Sequence, residues 1–208
     1  DRGKSSEVNL QQLITSNDVD LRVIAVWGCS GDLGKTSAIQ EVYDDPKVLE
    51  TFGFCAWIRL MHPFNPQEFL RGLLWQFYEN YHDEVGKSEQ GTSVVPNVLA
   101  NMEKMDQRDL ARMCNAELCR NSYLVVINGL STIEEWHCIK KYFPDNKKGR
   151  IVVSTQLAEI ASLCTEKPYQ VSELKQLSCD QTIYLFHKKV NLFLASFLLC
   201  ICFFFYMD

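Results

Sequence analysis

No C-x-x-C pair, no H-E-x-x-H helix and no excess of positive charge occur in this chain. Each absence excludes something. Nine cysteines are scattered without paired spacing, which argues against both a disulfide framework and a zinc site. Cys55, Cys138 and Cys164 fall inside apolar runs, where a free thiol packs as a small hydrophobe. A reducing, intracellular setting is therefore expected. The four histidines lack metal-ligand spacing and are read as surface or satisfied residues. A formal net charge of −5 speaks against nucleic acid as a partner, because such binders show a basic excess. The cluster Lys147-Lys148-Gly149-Arg150 is read as a solvated turn. No serine, cysteine or histidine triad is visible. The N-terminus carries no signal segment. The chain begins with Asp1 rather than methionine, so a fragment of a longer protein is expected.

What is present is apolar patterning in alternating periods. A chain of 208 residues that is 47% hydrophobic can build one α/β domain and the start of another. Val8 to Thr15 has the spacing of a short helix. Leu21 to Trp27 is a nearly unbroken apolar run and reads as a buried strand. Thr36 to Tyr43 reads as a helix ended near Asp45-Pro46. Phe52 to Leu60 is a second strand. Asn65-Pro66-Gln67-Glu68 is a helix start with a cap, a first-turn proline and a capping-box acid. Phe69, Leu70, Leu73, Leu74, Phe77 and Tyr81 then share one face, expected to pack on a sheet.

His82 to Pro96 reads as a loop. Asn97 to Cys119 reads as helix with a break near Asp106. Strands follow at Tyr123 to Ile127, Gly149 to Thr155 and Tyr169 to Val171. Helices are expected at Glu134 to Tyr142, Leu157 to Cys164 and Ser178 to Lys188. Strands alternating with helices predict a parallel sheet covered on both faces, with ligands at the carboxyl ends of its strands.

The chain divides into a linker with a short helix (1–20), an α/β domain (21–171), the start of a further helical region (172–189) and an apolar tail (190–208). The tail, Val190 to Met207, has no polar face, which excludes a globular surface helix. Its length is near the lower limit of about 17 apolar residues for a membrane span. It is read as intron sequence translated in frame or as a short membrane segment. Uridine-rich codons give Phe, Leu, Cys, Ile and Tyr, and a splice donor starts with the first two bases of valine codons.

The chemistry gathers around Gly28-Cys29-Ser30-Gly31-Asp32-Leu33-Gly34-Lys35-Thr36. A strand, a glycine-rich turn, Gly-Lys-Thr and a helix form the layout of a phosphate-binding loop. Glycines let backbone N–H groups close around phosphate oxygens, and the helix N-terminus adds a favourable dipole. The loop is longer than the standard one by a single residue. The glycine expected six residues before the lysine is replaced by Cys29, with Gly28 one further back. Asp32 adds a carboxylate that repels phosphate unless it faces solvent. At the end of the third strand, where a P-loop enzyme has an aspartate on magnesium, stand Asn128 and Gly129. After the fourth strand come Thr155, suited to a γ-phosphate or its water, and the neutral Gln156. The same Asn128-Gly129 pair also reads as a simple turn.

In this order the motifs resemble the nucleotide-binding NB-ARC domain of plant leucine-rich-repeat immune receptors, especially the cereal coiled-coil type. V-I-A-V-W-G-C-S-G-D-L-G-K-T-S is similar to the family's phosphate loop. F-G-F-C-A-W-I-R-L, Y-L-V-V-I-N-G-L-S-T-I-E-E-W and F-P-D-N-K-K-G-R-I-V-V-S-T-Q are similar to its following strands. The segment Y-Q-V-S-E-L-K-Q-L-S-C-D-Q-T-I-Y-L-F is similar to the lead into its ARC region.

The resemblance implies a P-loop NTPase sheet flanked by helices, binding ADP at rest and ATP when active. It carries the phosphate and magnesium roles to Gly31, Gly34, Lys35, Thr36 and Ser37, with Gly28 counted among the nucleotide-binding residues. It makes Asn128 the Walker B position, with Thr36 and Asn128 holding magnesium. Gln156 takes the position of the sensor arginine, and Thr155 is counted with it among the nucleotide-binding residues. It implies a cytoplasmic switch in plant defence and the hypersensitive response, partnered by other receptor domains or a paired receptor, with oligomers on activation. Membrane association would follow only from the tail. GLPL and MHD motifs are absent from the sequence, so the switch is expected to be incomplete. Hydrolysis is expected to be weak or absent. The rival readings are a non-binding scaffold that pairs with another receptor and, last, an active ATPase.

Overall fold

The computed structural model describes residues 10–16, 22–28, 32–85, 101–144, 149–165 and 171–173. Within them five parallel strands form one sheet in the order β2-β3-β4-β1-β5. The strands are β1 (Val23–Trp27), β2 (Phe54–Arg59), β3 (Tyr123–Leu130), β4 (Gly149–Thr155) and β5 (Val171–Glu173). The helices are α1 (Leu10–Ile14), α2 (Asp32–Tyr43), α3 (Pro46–Thr51), α4 (Pro66–Val85), α5 (Gln107–Arg120), α6 (Ile133–Lys140) and α7 (Ala158–Cys164).

Side chains alternate across each strand, so near-continuous apolar runs feed two cores at once. On one face Ile24, Val26, Cys55, Leu124, Val126 and Val152 meet Leu10 and Ile14 of α1, Ile39 of α2 and Val48 of α3. On the other, Ala56, Ile58, Val125, Ile127 and Val153 meet Leu70 and Leu73 of α4, Leu110 and Leu118 of α5, Trp136 of α6 and Ala161 of α7. From Phe69 to Phe77 the apolar face predicted for α4 packs in the core, with Leu70 and Leu74 fully enclosed.

The connections run in opposite directions on either side of β1 and β4. From β1 the chain passes through α2 and α3 on one face to the far strand β2. From β4 it passes through α7 on the other face to β5. A parallel sheet whose connections reverse in this way opens a crevice at the carboxyl ends of the strands.

Several elements differ from the sequence expectation. Helix α2 begins at Asp32, not Thr36. Gly34 and Lys35 therefore lie in its first turn, where an acid such as Asp32 suits the positive end of the helix dipole. Asp45-Pro46 does more than end that helix, because it starts α3. The Asp45 side chain accepts from Lys47 N at 2.8 Å, with proline in the first turn.

Asn65 caps α4 as expected, accepting from Gln67 N at 2.9 Å. Glu68 does not complete a capping box; it pairs with Arg71 at 2.6 Å. Residues 82–85, expected in a loop, continue α4. The break at Asp106 is found, with Asp106 capping α5 through Arg108 N and Asp109 N. Strand β3 runs three residues beyond Ile127, so Asn128-Gly129 is strand rather than turn. Gly129 has a φ of 88° at a bulge in the ladder.

Strand β5 begins where the expected strand ends. Arg150 is not a solvated turn residue. It is buried in β4 and donates to Ser16 O at 2.6 Å, tying the end of α1 to the sheet. The expected helix Ser178 to Lys188 and the tail from Val190 lie outside the described residues. Among the described residues no helix is long and apolar enough to cross a membrane.

Candidate functional site at the carboxyl ends of the strands

Strand β1 delivers Gly28, which is buried, to the end of the sheet. Gly31 lies outside the described residues. Gly34 and Lys35 are placed by their backbone in the first turn of α2, and Thr36 and Ser37 follow, both partly buried. Ile39 anchors this helix on the sheet, 1% exposed. That packing carries Thr36 over β3. Asn128 Nδ2 donates to Thr36 Oγ1 at 3.5 Å across 92 residues of sequence. The residue after the loop lysine and the residue at the end of the third strand are therefore neighbours.

The register extends this relation along a row. Arg59 is paired with Asn128, Asn128 with Ser154, and Ser154 with Val26. Alternation puts all four on the face covered by α2. Ser154 Oγ is buried without a hydrogen-bond partner. Thr155 is buried at the end of β4, and its Oγ1 accepts from Leu157 N at 3.3 Å, which starts α7. Gln156 is exposed beside it. A cleft of about 340 Å³ opens over the ends of β2, β3 and β4, lined by Asn128, Thr155 and Gln156 together with Arg59 and His62.

The residues missed from sequence are Arg59, His62 and Glu135. His62 Nδ1 lies 3.1 Å from Glu135 Oε1, and its Nε2 lies 3.2 Å from Gly129 O. Both partners accept, so the ring bridges the start of α6 to the bulge after Asn128. Glu135 is also the acid of a capping box with Thr132. It accepts from Ser131 N at 2.9 Å and Thr132 N at 3.1 Å. T-I-E-E after an apolar strand is the sequence signature of such a box. Nothing in sequence spacing links His62 to it, because the contact crosses two strands.

Near α2 two ionisable groups, Tyr43 and Cys55, are held in their protonated, neutral forms. Burial pushes the Tyr43 phenol up, and burial pushes the Cys55 thiol up to about 11. Tyr43 meets Trp57 edge to face at 5.4 Å. Among the described residues no group of His, Cys, Asp and Glu is arranged for a metal ion. Thr36 and Asn128 supply only a hydroxyl and an amide. Magnesium prefers an oxygen set with one or two carboxylates beside substrate phosphates, so this neutral pair fits the ion poorly.

The chain is 29% identical over 185 residues to Disease resistance protein RGA4 of Oryza sativa subsp. japonica, covering 86% of this chain and 16% of that protein. It is 26% identical over 154 residues to a putative late blight resistance protein homolog of Solanum demissum, covering 74% and 10%. It is 21% identical over 185 residues to Disease resistance protein RPP13 of Arabidopsis thaliana, covering 88% and 20%. The chain spans a fifth or less of the length of these relatives. The family model of the NB-ARC domain matches residues 4–193, nearly the whole sequence, and the chain belongs to that family.

Proposed function

We propose that this chain is the ADP- and ATP-binding switch module of a plant immune receptor, with weak or no hydrolysis. The approach of Thr36 to Asn128 carries the reading. It joins the Gly-Lys-Thr segment to the end of β3 in the crevice where a parallel sheet takes its ligand. The first turn of α2, with Gly34 and Lys35, meets the outer phosphates, and Thr36 follows it. Gly28 and Gly31 allow backbone approach, and Ser37 follows Thr36 on the same helix. Thr155 and Gln156 border the far side of the phosphates.

Thr36 and Asn128 are the residues that would hold magnesium, and a metal bound there would neutralise phosphate charge. Their neutral donors leave most of its coordination to the nucleotide itself. Without a carboxylate at 128 or 129 no group polarises an attacking water, which is why turnover is weak in this reading. Defence signalling, cytoplasmic location, pairing with other receptor domains and oligomerisation on activation belong to the same proposal.

Calorimetric titration of the full chain with ADP and magnesium tests it. Saturable binding that is lost in Lys35→Ala is expected. The same neutral substitutions favour a second reading, a scaffold that pairs with another receptor and holds no nucleotide. Protein purified free of nucleotide and silent in the titration would select that reading.

A further inference from the structure

The cleft at the ends of β2, β3 and β4 is lined by Arg59 and His62. The Glu135 carboxylate that His62 contacts is also held by the Ser131 and Thr132 N–H groups, which leaves Arg59 as the lining charge not so engaged among the described residues. A concave site with one sign of charge favours ligands of the opposite sign. Arg59 is the fixed cation. It ends β2, directly in register with Asn128, one strand spacing of about 4.8 Å away. Its side chain is exposed, and among the described residues it has neither an ion pair nor a hydrogen bond. A planar guanidinium with free donors suits phosphate oxygens.

The identity of residue 128 bears on why Asn128 makes no claim on those donors. An aspartate at that register position would face Arg59 on the same side of the sheet and pair with it. Asparagine carries no charge and turns its amide nitrogen to Thr36. The substitution that weakens the magnesium site therefore also releases the neighbouring cation. Gln156, on the opposite wall of the cleft, supplies no charge of its own.

We propose that Arg59 is the cation that reads the terminal phosphate in this chain, making its nucleotide affinity independent of magnesium. The proposal rests on the nucleotide-binding reading above and adds to it the means of telling ATP from ADP. Arg59 shares the sheet face with Asn128, the partner of Thr36, while His62 is engaged with Glu135 and Gly129.

The test is calorimetry of the full chain with ATP and with ADP, in magnesium and again in EDTA. Parent, Arg59→Gln, Arg59→Lys and Asn128→Asp are compared, each checked for folding by circular dichroism. The parent is expected to bind ATP with less than ~3-fold change on removing magnesium. Arg59→Gln is expected to lose ~10-fold or more in ATP affinity, the scale of one hydrogen bond to a charged group, and less for ADP. Arg59→Lys retains part of the affinity. Asn128→Asp is expected to lose ATP affinity in EDTA and regain it with magnesium. A parent that binds ATP only with magnesium, or an Arg59→Gln that binds as the parent does, overturns the role of Arg59 and leaves the nucleotide reading standing. A parent that binds neither nucleotide overturns both.

Discussion

Asn128 reaches Thr36 with a neutral amide, Nδ2 to Oγ1 at 3.5 Å. The pair joins the end of β3 to the N-terminal part of α2, and it does so without charge. Asn128→Asp would place an acid there beside the Thr36 hydroxyl. Magnesium-dependent ADP affinity is expected to rise by ~10-fold, the weight of one charge-assisted contact. Titration of both proteins with and without EDTA checks it. An unchanged affinity in magnesium counts against a metal-binding role for position 128.

Glu135 holds the start of α6 and the turn before it. Its carboxylate accepts from two backbone N–H groups and faces His62. Glu135→Ala leaves those donors without their partner in a mostly buried setting. A loss of about 1–3 kcal/mol in urea unfolding is expected. Thr132→Ala, which removes the other half of the box, should cost about 1 kcal/mol. Equal stability of the Glu135 variant and the parent would show that water replaces the carboxylate.

Gly149 is required by its neighbour rather than by its backbone. A Cβ there would lie 1.9 Å from Cζ of Tyr123, whose ring is fully buried and tilted against Phe143 at 5.9 Å. The ring has nowhere to move without displacing core. Gly149→Ala is expected to cost at least the upper end of about 1–3 kcal/mol for overpacking. Tyr123→Phe combined with it should recover little, because the clash is with the ring and not the hydroxyl. A parent-like melting temperature in Gly149→Ala would contradict the packing.

The cysteines differ in reactivity. Burial pushes Cys114 and Cys164 up to about 12, and Cys55 up to about 11. At pH 8, below all three values, these thiols stay protonated and shielded. Cys119 is exposed on α5. Native alkylation followed by peptide mapping should label Cys119 and spare the other three until denaturant is added. Raising the pH to 9 leaves them unreactive, since it still lies below their folded values. Labelling of Cys114 at the rate of Cys119 would show that α5 opens away from α4.

The alternation of long apolar runs with amphipathic segments determined the fold class from sequence alone. A parallel strand buried on both faces can scarcely be written otherwise, and Gly149 to Thr155 is found as expected. Helix ends carried by short polar side chains were legible too, as Asn65 and Asp106 show. Asp45-Pro46 had the same chemistry and was read only as a stop, because a stop and a start look alike when a helix of six residues follows.

Which polar residues meet was a different matter. Lys35, Thr36, Asn128 and Gln156 stand at set places relative to strands and helices, which a linear reading can locate. Arg59 and His62 have no such spacing. They reach the cleft only because the order β2-β3-β4-β1-β5 sets the ends of β2 and β3 side by side. Strand order is a long-range choice made by packing, and periodicity within a segment carries no record of it.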